Sequence, residues 1–313
     1  MTSSFTLHRN VIPFVPYRYE GERIDCPVCD APERVVAATF DRRLKPLRTV
    51  VCTSCGLFYT DPMPTEAELS RYYADEYRAD YQFAGLRPRH THLRKKEREA
   101  ERRLADIVLH CGDAPRRTLD FGCGSGELVH RLARAGHHAV GLEPGRAFSN
   151  FAATQAEGLG TCRIDGGTWR DADYAPGSFD IITAYHVLEH LREPIAALRR
   201  IGEWLADDGR LFLEVPNMQG YPLKCFEHFH FAHVLGFSRD NLLLAAHRAG
   251  FTLVATKSGT SFVLRKSASG DQAPAIDLAE TVRRNVADYV RPVPWGDYAL
   301  HHLKRLKRLV PAF

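Results

Sequence analysis

The sequence predicts an α/β fold with a mostly parallel sheet, a small cysteine-rich module ahead of it and helices behind it. Residues 119–126 read Leu119-Asp120-Phe121-Gly122-Cys123-Gly124-Ser125-Gly126, an apolar run into a glycine-rich turn, and an amphipathic stretch starts at Glu127. Downstream, short apolar runs alternate with segments of helical periodicity as far as residue 265, the pattern of crossover-connected parallel strands. Upstream, four cysteines stand as two C-x-x-C pairs, a spacing that suits a metal better than isolated thiols.

Residues 1–10 are polar, without the apolar centre of a signal peptide. No run is long enough to span a bilayer, so the expected location is cytoplasmic, where thiols stay reduced. There Cys26-Pro27-Val28-Cys29 and Cys52-Thr53-Ser54-Cys55 are expected to bind Zn2+ rather than form two disulfides. Each pair offers two thiolates from one knuckle, and four thiolates close a tetrahedron with no position open to substrate. The zinc would therefore be structural. The first knuckle carries Asp30 where glycine is frequent. Cys111, Cys123, Cys162 and Cys225 lack ligand spacing, and Cys123 suits a turn that needs a small residue.

Leu57-Phe58-Tyr59 continue the second knuckle as a strand, and Asp61-Pro62-Met63-Pro64 break it. A short helix is expected over 65–73, with Tyr72, Tyr73, Tyr77 and Tyr81 in and after it. A long basic helix is expected over 90–111, docking through Leu104, Ile107 and Val108, with Arg94-Lys95-Lys96 and Arg102-Arg103 on a solvated face.

Glycines at the 122–126 turn let backbone approach a ligand that a Cβ would block. A dinucleotide-binding turn would read G-x-G-x-x-G and place a phosphate on the helix N-terminus. Here Glu127 holds the third glycine's place and Asp120 lies just upstream. Two carboxylates repel a pyrophosphate but suit a cation. S-adenosyl-L-methionine, with a sulfonium, an ammonium and no phosphate, is the best match. The helix over 127–135 buries Leu128, Val129 and Leu132 and stops at Gly136. The next strand, 138–142, runs into Glu143-Pro144, where a carboxylate can accept from both ribose hydroxyls. Gly177-Ser178 turns into a buried strand through Ala184, followed by the segment from Tyr185 to Leu191. Glu193-Pro194 opens a helix carrying Ile195, Leu198, Ile201 and Leu205. Asp207-Asp208-Gly209 is a turn before a strand over 210–215, Ser238 caps a helix to Ala249, and strands at 251–256 and 261–265 complete the sheet.

These elements, over 117–266, resemble the class I S-adenosylmethionine-dependent methyltransferases, which implies a Rossmann-like sheet, mostly parallel with the last strand antiparallel. The two C-x-x-C knuckles, the D-P-x-P turn and the paired tyrosines resemble a bacterial subgroup with an N-terminal zinc ribbon. Many of its members act on saccharides or secondary metabolites, and in them the tyrosine segment folds over the cofactor cleft. The resemblance implies that Gly122, Cys123, Gly124 and Gly126 line the cofactor. Asp120 would meet its amino-acid portion, Glu143 with Pro144 its ribose, Asp165 and Gly166 its adenine, and Tyr185 its methionine end. The expected division is a tail and ribbon over 1–60, a helical connector over 61–111, the methyltransferase domain over 112–267 and a helical extension over 268–313.

Methyl transfer from a sulfonium is an in-line displacement whose leaving group is built in, so the enzyme aligns the acceptor and excludes water. A hydroxyl acceptor also needs a base, and histidine suits that task. The candidates are His186 and His190 beside the sulfonium, and His228, His230 and His233 where the family's acceptor pocket opens; the choice among them stays open. Residues 186–190 also spell H-x-x-E-H, an inverted zinc-protease signature. That signature needs a helix presenting both histidines, whereas here it follows a buried strand. Some quinone-type O-methyltransferases bind a divalent metal through acidic residues and a histidine in this loop. His186 stands where they have a carboxylate, which weakens that carry-over.

After a linker at 267–274, helices are expected over 276–290 and 298–310. Leu300, Leu303, Leu306 and Leu309 of the second would pack on the body or on a second copy as a homodimer. The expected reaction is O-methylation of a small molecule or saccharide, with C-methylation of a nucleotide-linked sugar as the enzymatic alternative. A non-enzymatic zinc-ribbon protein binding nucleic acid is the other. A net charge of +4 over 313 residues and the scarcity of basic and aromatic residues in the ribbon argue against a nucleic acid partner.

Overall fold

The computed structural model describes residues 12–75, 90–219, 225–290, 294–300 and 303. Tyr77, Tyr81, Leu306 and Leu309 lie outside them.

Strands β1 (Arg34–Phe40), β2 (Pro46–Cys52) and β3 (Phe58–Thr60) form the antiparallel ribbon sheet. Helix α1 (Glu66–Asp75) follows. Glu68 caps it by accepting from Thr65 N at 2.8 Å, while Glu68 N donates to Thr65 Oγ1 at 3.3 Å. Helix α2 (His90–Cys111) docks through Ala100, Leu104, Ile107 and Cys111, one stripe at helical spacing. Val108, expected on that stripe, is 38% exposed because it sits one residue, a quarter turn or so, off the line.

The central sheet, with the short β9 that lies outside it, then alternates with helices: β4 (Arg117–Phe121), α3 (Glu127–Arg134), β5 (His138–Glu143), α4 (Arg146–Ala156), β6 (Cys162–Gly166), β7 (Phe179–Tyr185), α5 (Pro194–Trp204), β8 (Leu205–Glu214), β9 (Leu235–Gly236), α6 (Arg239–Arg248), β10 (Phe251–Ser258) and β11 (Ser261–Lys266). Its order is β10-β11-β8-β7-β4-β5-β6. Pairs from β8 to β6 are parallel, and β11 lies antiparallel to both neighbours, as expected. Helix periodicity explains the packing. Leu128, Val129 and Leu132 of α3 and Ala197, Leu198, Ile201 and Trp204 of α5 are the buried stripes facing the sheet.

One element departs from expectation. The 207–209 turn lies within β8, because Leu205 already pairs with Phe179 and the next register is Arg210 with Ile181. Residues 206–209 are looped out opposite Asp180 as a bulge. The loop folds back so tightly that a Cβ on Gly209 would stand 2.7 Å from the Leu205 side chain.

The ribbon is not closed on itself. β9, from the segment between β8 and α6, pairs with β3 through Phe58–Gly236 and Tyr59–Leu235, so one sheet joins residues expected in separate domains. Helix α7 (Leu278–Tyr289) packs on the same sheet, with Phe58 and Tyr289 rings 4.7 Å apart and Asn285 Nδ2 donating to Gly56 O at 2.7 Å. The C-terminal helix thus covers the chain's own ribbon. No helix among the described residues is long and apolar enough to cross a membrane.

Candidate active site

The four knuckle sulfurs lie within 4.8 Å of one another. Cys26 and Cys55 Sγ are 3.6 Å apart and Cys29 and Cys52 Sγ 3.5 Å. A Zn–S bond of about 2.3 Å gives a tetrahedral edge of about 3.8 Å, so the sulfurs are placed as a zinc site places them. Asp30 adopts φ 60°, the left-handed conformation for which glycine is usual. Its carboxylate accepts from Arg248 Nη2 at 2.5 Å, which ties the first knuckle to α6.

The glycine turn sits at the carboxyl ends of the parallel strands, where open α/β sheets bind ligands. Gly122, Gly124 and Gly126 all have positive φ, at 77°, 56° and 86°. Only Gly124 fits the expected reason for a missing side chain, since a Cβ there meets nothing within 4 Å. On Gly122 a Cβ would come within 2.5 Å of Val187 Cγ2, and on Gly126 within 2.8 Å of the His130 ring and 2.9 Å of Ala152. Those two glycines admit protein neighbours. Cys123 turns its sulfur inward onto Gly141, which a larger side chain would displace.

Glu143 ends β5 beside this turn. Its Oε2 accepts from Gly124 N at 3.0 Å and its Oε1 from Gly145 N at 2.7 Å, so the carboxylate is oriented by backbone. Leu142 pairs with Asp165 and Glu143 with Gly166, which brings Pro144, Asp165 and Gly166 to the same rim. Tyr174 Oη donates to Asp165 Oδ2 at 2.8 Å. Asp120 is buried and accepts from Thr183 Oγ1 at 2.6 Å; burial pushes its carboxyl above the usual range. Tyr185 ends β7, and its buried hydroxyl has no hydrogen-bond partner among the described residues.

Arg103, expected in solvent, stacks its guanidinium over the Tyr185 ring at 4.0 Å and lies 4.0 Å from Glu214. Its position four residues before Ile107 puts it on the docking face of α2, a signal available from spacing alone.

The loop after β7 packs on the glycine turn through Val187. His186 has φ 57°, with Nδ1 3.6 Å from Glu189 Oε1 and Nε2 3.3 Å from Glu214 Oε1. Burial works against its charge, but the two carboxylates outweigh it and raise its pKa to about 9. His190 Nδ1 lies 2.7 Å from Ala232 O and 2.8 Å from Tyr73 Oη. His230 is 1% exposed, its ring 4.0 Å from that of His233. His228 Nε2 is 3.3 Å from Tyr289 Oη, and burial holds its pKa down at about 4. A pocket lined by Glu189, His228, His233, Phe58, Phe229 and Met218 lies beyond this loop.

A family model described as a methyltransferase domain matches residues 70–256. The chain belongs to that methyltransferase family. The methyltransferase is similar to the ubiquinone biosynthesis O-methyltransferase of Nitrosococcus oceani, 35% identical over 117 residues, which are 37% of this chain and 50% of that protein. The enzyme of the same name from Aeromonas salmonicida is 31% identical over 33% of this chain and 44% of its own length. The chain thus spans about half the length of these curated relatives. The Burkholderia thailandensis 1,6-didemethyltoxoflavin-N1-methyltransferase, solved with its substrate and S-adenosylhomocysteine, shares the fold with a TM-score of 0.50 at 18% identity, over 71% of this chain and 96% of that one. Haemonchus contortus phosphoethanolamine N-methyltransferase 1 gives 0.51 at 15%, over 71% and 53%.

Proposed function

We propose that the methyltransferase transfers the methyl group of S-adenosylmethionine to an oxygen of a small-molecule or saccharide acceptor whose hydroxyl reaches the small pocket beside His228. The observation that carries this reading is that this pocket, lined by His228 and His233 together with Phe58, Met218 and Phe229, adjoins the loop that Val187 packs against the glycine turn. Gly124 offers bare backbone to the donor, with Cys123, Gly122 and Gly126 shaping the turn around it. Glu143, oriented by two backbone N–H groups, receives the ribose hydroxyls beside Pro144. Asp165 and Gly166 flank the adenine, and Asp120 and Tyr185 face the amino-acid and methyl end. The similarity to enzymes named O-methyltransferases supports oxygen as the acceptor atom.

Among the candidate histidines, His228 suits the base best. The two carboxylates beside His186 favour its protonated form, which disfavours it as a base. His228 lines the pocket, and burial disfavours its charged form, so its ring offers a lone pair to an acceptor hydroxyl, as a weaker base than a free imidazole. On methyl transfer it takes the hydroxyl proton while the sulfonium leaves as a neutral thioether. His228→Asn is expected to lower turnover by about 10²–10⁴-fold, the range for a general base, with donor affinity unchanged by calorimetry. Product NMR tests the acceptor atom: a methyl carbon bonded to oxygen supports the proposal, and one bonded to carbon or nitrogen overturns it.

Glu143→Ala is expected to weaken binding of S-adenosylhomocysteine by about 1–3 kcal/mol, the scale of hydrogen bonds to a charged group. Unchanged affinity in calorimetry would sink the ribose assignment.

His228 also predicts a pH dependence of stability. Its folded pKa lies below the ordinary value of 6.5, so the unfolded chain binds the proton more readily. Stability is therefore retained above pH 6.5 and lost as pH falls toward 4, by up to about 3 kcal/mol from this residue. Denaturation midpoints of wild type should fall across that window more steeply than those of His228→Asn.

A further inference from the structure

We propose that Tyr289, on the C-terminal helix α7, is a positioning residue for His228: it holds the ring in the tautomer whose Nδ1 keeps the lone pair. The inference deepens the reading of His228 as the base and rests on it. Helix α7 lies beyond the span that the methyltransferase family model matches, which ends at residue 256. The chain therefore brings this group to the site from outside the matched domain.

Helical periodicity puts Tyr289 there. Thr281, Asn285 and Tyr289 recur every fourth residue and form the buried stripe of α7. Asn285, fully buried, donates from Nδ2 to Gly56 O at 2.7 Å and accepts at Oδ1 from Gln219 Nε2 at 2.8 Å. One turn on, Tyr289 is buried too, its ring centroid 4.7 Å from that of Phe58 and 5.6 Å from that of His228. Its hydroxyl donates to Met218 O. Asn285 and Tyr289 thus hold residues 218 and 219 to α7, and Met218 lines the same pocket as His228.

Counting donors and acceptors assigns the protons. A phenol has one O–H to give, and a backbone carbonyl can only accept. The Tyr289 proton therefore lies toward Met218 O, and the lone pairs of Oη face His228 Nε2 at 3.3 Å. A bare ring nitrogen there would set lone pair against lone pair, so Nε2 meets Oη as an N–H donor. Nδ1 is then the nitrogen that takes the acceptor's proton, since the hydrogen bond made by one ring nitrogen sets the state of the other. When Nδ1 is protonated, Oη still holds the Nε2–H, which favours the imidazolium that burial disfavours. The phenol serves as the carboxylate of a hydrolase triad serves its histidine, without adding a second buried charge. The titratable groups around His228 are Glu227 in its own turn, Tyr289 on α7, and Glu189 and His233 across the pocket.

Nitrogen NMR of the histidine side chains in wild type tests the tautomer without turnover, the His228 signals being those missing from His228→Asn. At neutral pH the proton is expected on Nε2 alone; a proton on Nδ1 overturns the proposal. Tyr289→Phe keeps the ring and removes the oxygen. It is expected to lower kcat by about 3–10-fold, the scale of one neutral hydrogen bond, with the acceptor KM and S-adenosylhomocysteine affinity close to wild type. The acid limb of its kcat profile should move to lower pH, because the imidazolium has lost its acceptor. Wild-type kcat with an unmoved limb overturns the positioning role. Failure of the base reading looks different: His228→Asn then turns over like wild type, which removes the base and its positioning residue together. An Nδ1–H ring beside an inactive His228→Asn overturns the positioning alone.

Discussion

Replacing Gly124 with valine is expected to abolish S-adenosylmethionine binding while leaving the fold in place. A Cβ at this position meets no protein atom within 4 Å, so a branched side chain there would occupy the space above the turn rather than the core. Holding a non-glycine residue at φ 56° costs about 1–2 kcal/mol, which a domain of ordinary stability absorbs. The affinity loss should exceed about 100-fold, or 3 kcal/mol, since the side chain fills the donor's place. Gly122→Ala should behave in the opposite way. Its Cβ would meet Val187 at 2.5 Å and displace the loop that carries His186, Glu189 and His190, so stability and turnover fall first. Calorimetry with S-adenosylhomocysteine and thermal melts separate the two. If Gly124→Val binds the donor product like wild type, the donor does not lie over that face.

The double substitution Cys26→Ser and Cys52→Ser should have the larger effect on the molecule as a whole. Zinc contributes about 10 kcal/mol or more to small thiolate modules, comparable with the entire stability of a domain. Its loss is expected to unfold the ribbon. The damage should not stop there, because the second knuckle is tied to the body: Asn241 Nδ2 donates to Cys55 O at 3.3 Å and Asn285 Nδ2 to Gly56 O at 2.7 Å. Phe58 of β3 also lines the pocket beside His228. Methyl transfer should be lost, while the central sheet still binds S-adenosylhomocysteine within a few-fold of wild type. Elemental analysis, circular dichroism and calorimetry on the same samples check each clause. Wild-type protein without zinc would refute the premise.

How much of this was legible before the structure depended on how local the cause was. The glycine turn, the carboxylate ending β5, the proline at the start of α5 and the paired knuckles each follow from constraints within a few residues, and each stands where expected. The purpose of individual glycines was not legible. Gly122 and Gly126 answer to Val187 and to His130 with Ala152, residues that only the folded chain brings to the turn. By its charge Arg103 reads as solvent-facing, but its place on the α2 stripe lays it over the Tyr185 ring. The short strand β9 carries no periodicity from which it could be read, and its pairing with β3 is a tertiary event.

The shared edge between β3 and β9 limits how this enzyme can be re-engineered. Deleting the cysteine-rich end would strip a neighbour from Leu235 and Gly236 and leave raw backbone ready to pair with another molecule, so a trimmed catalytic core should precipitate rather than work faster. Swapping acceptor preference between homologous enzymes by exchanging one segment would mismatch that seam. Residues 34–60 and 228–237 need to be transplanted together, as a single cassette.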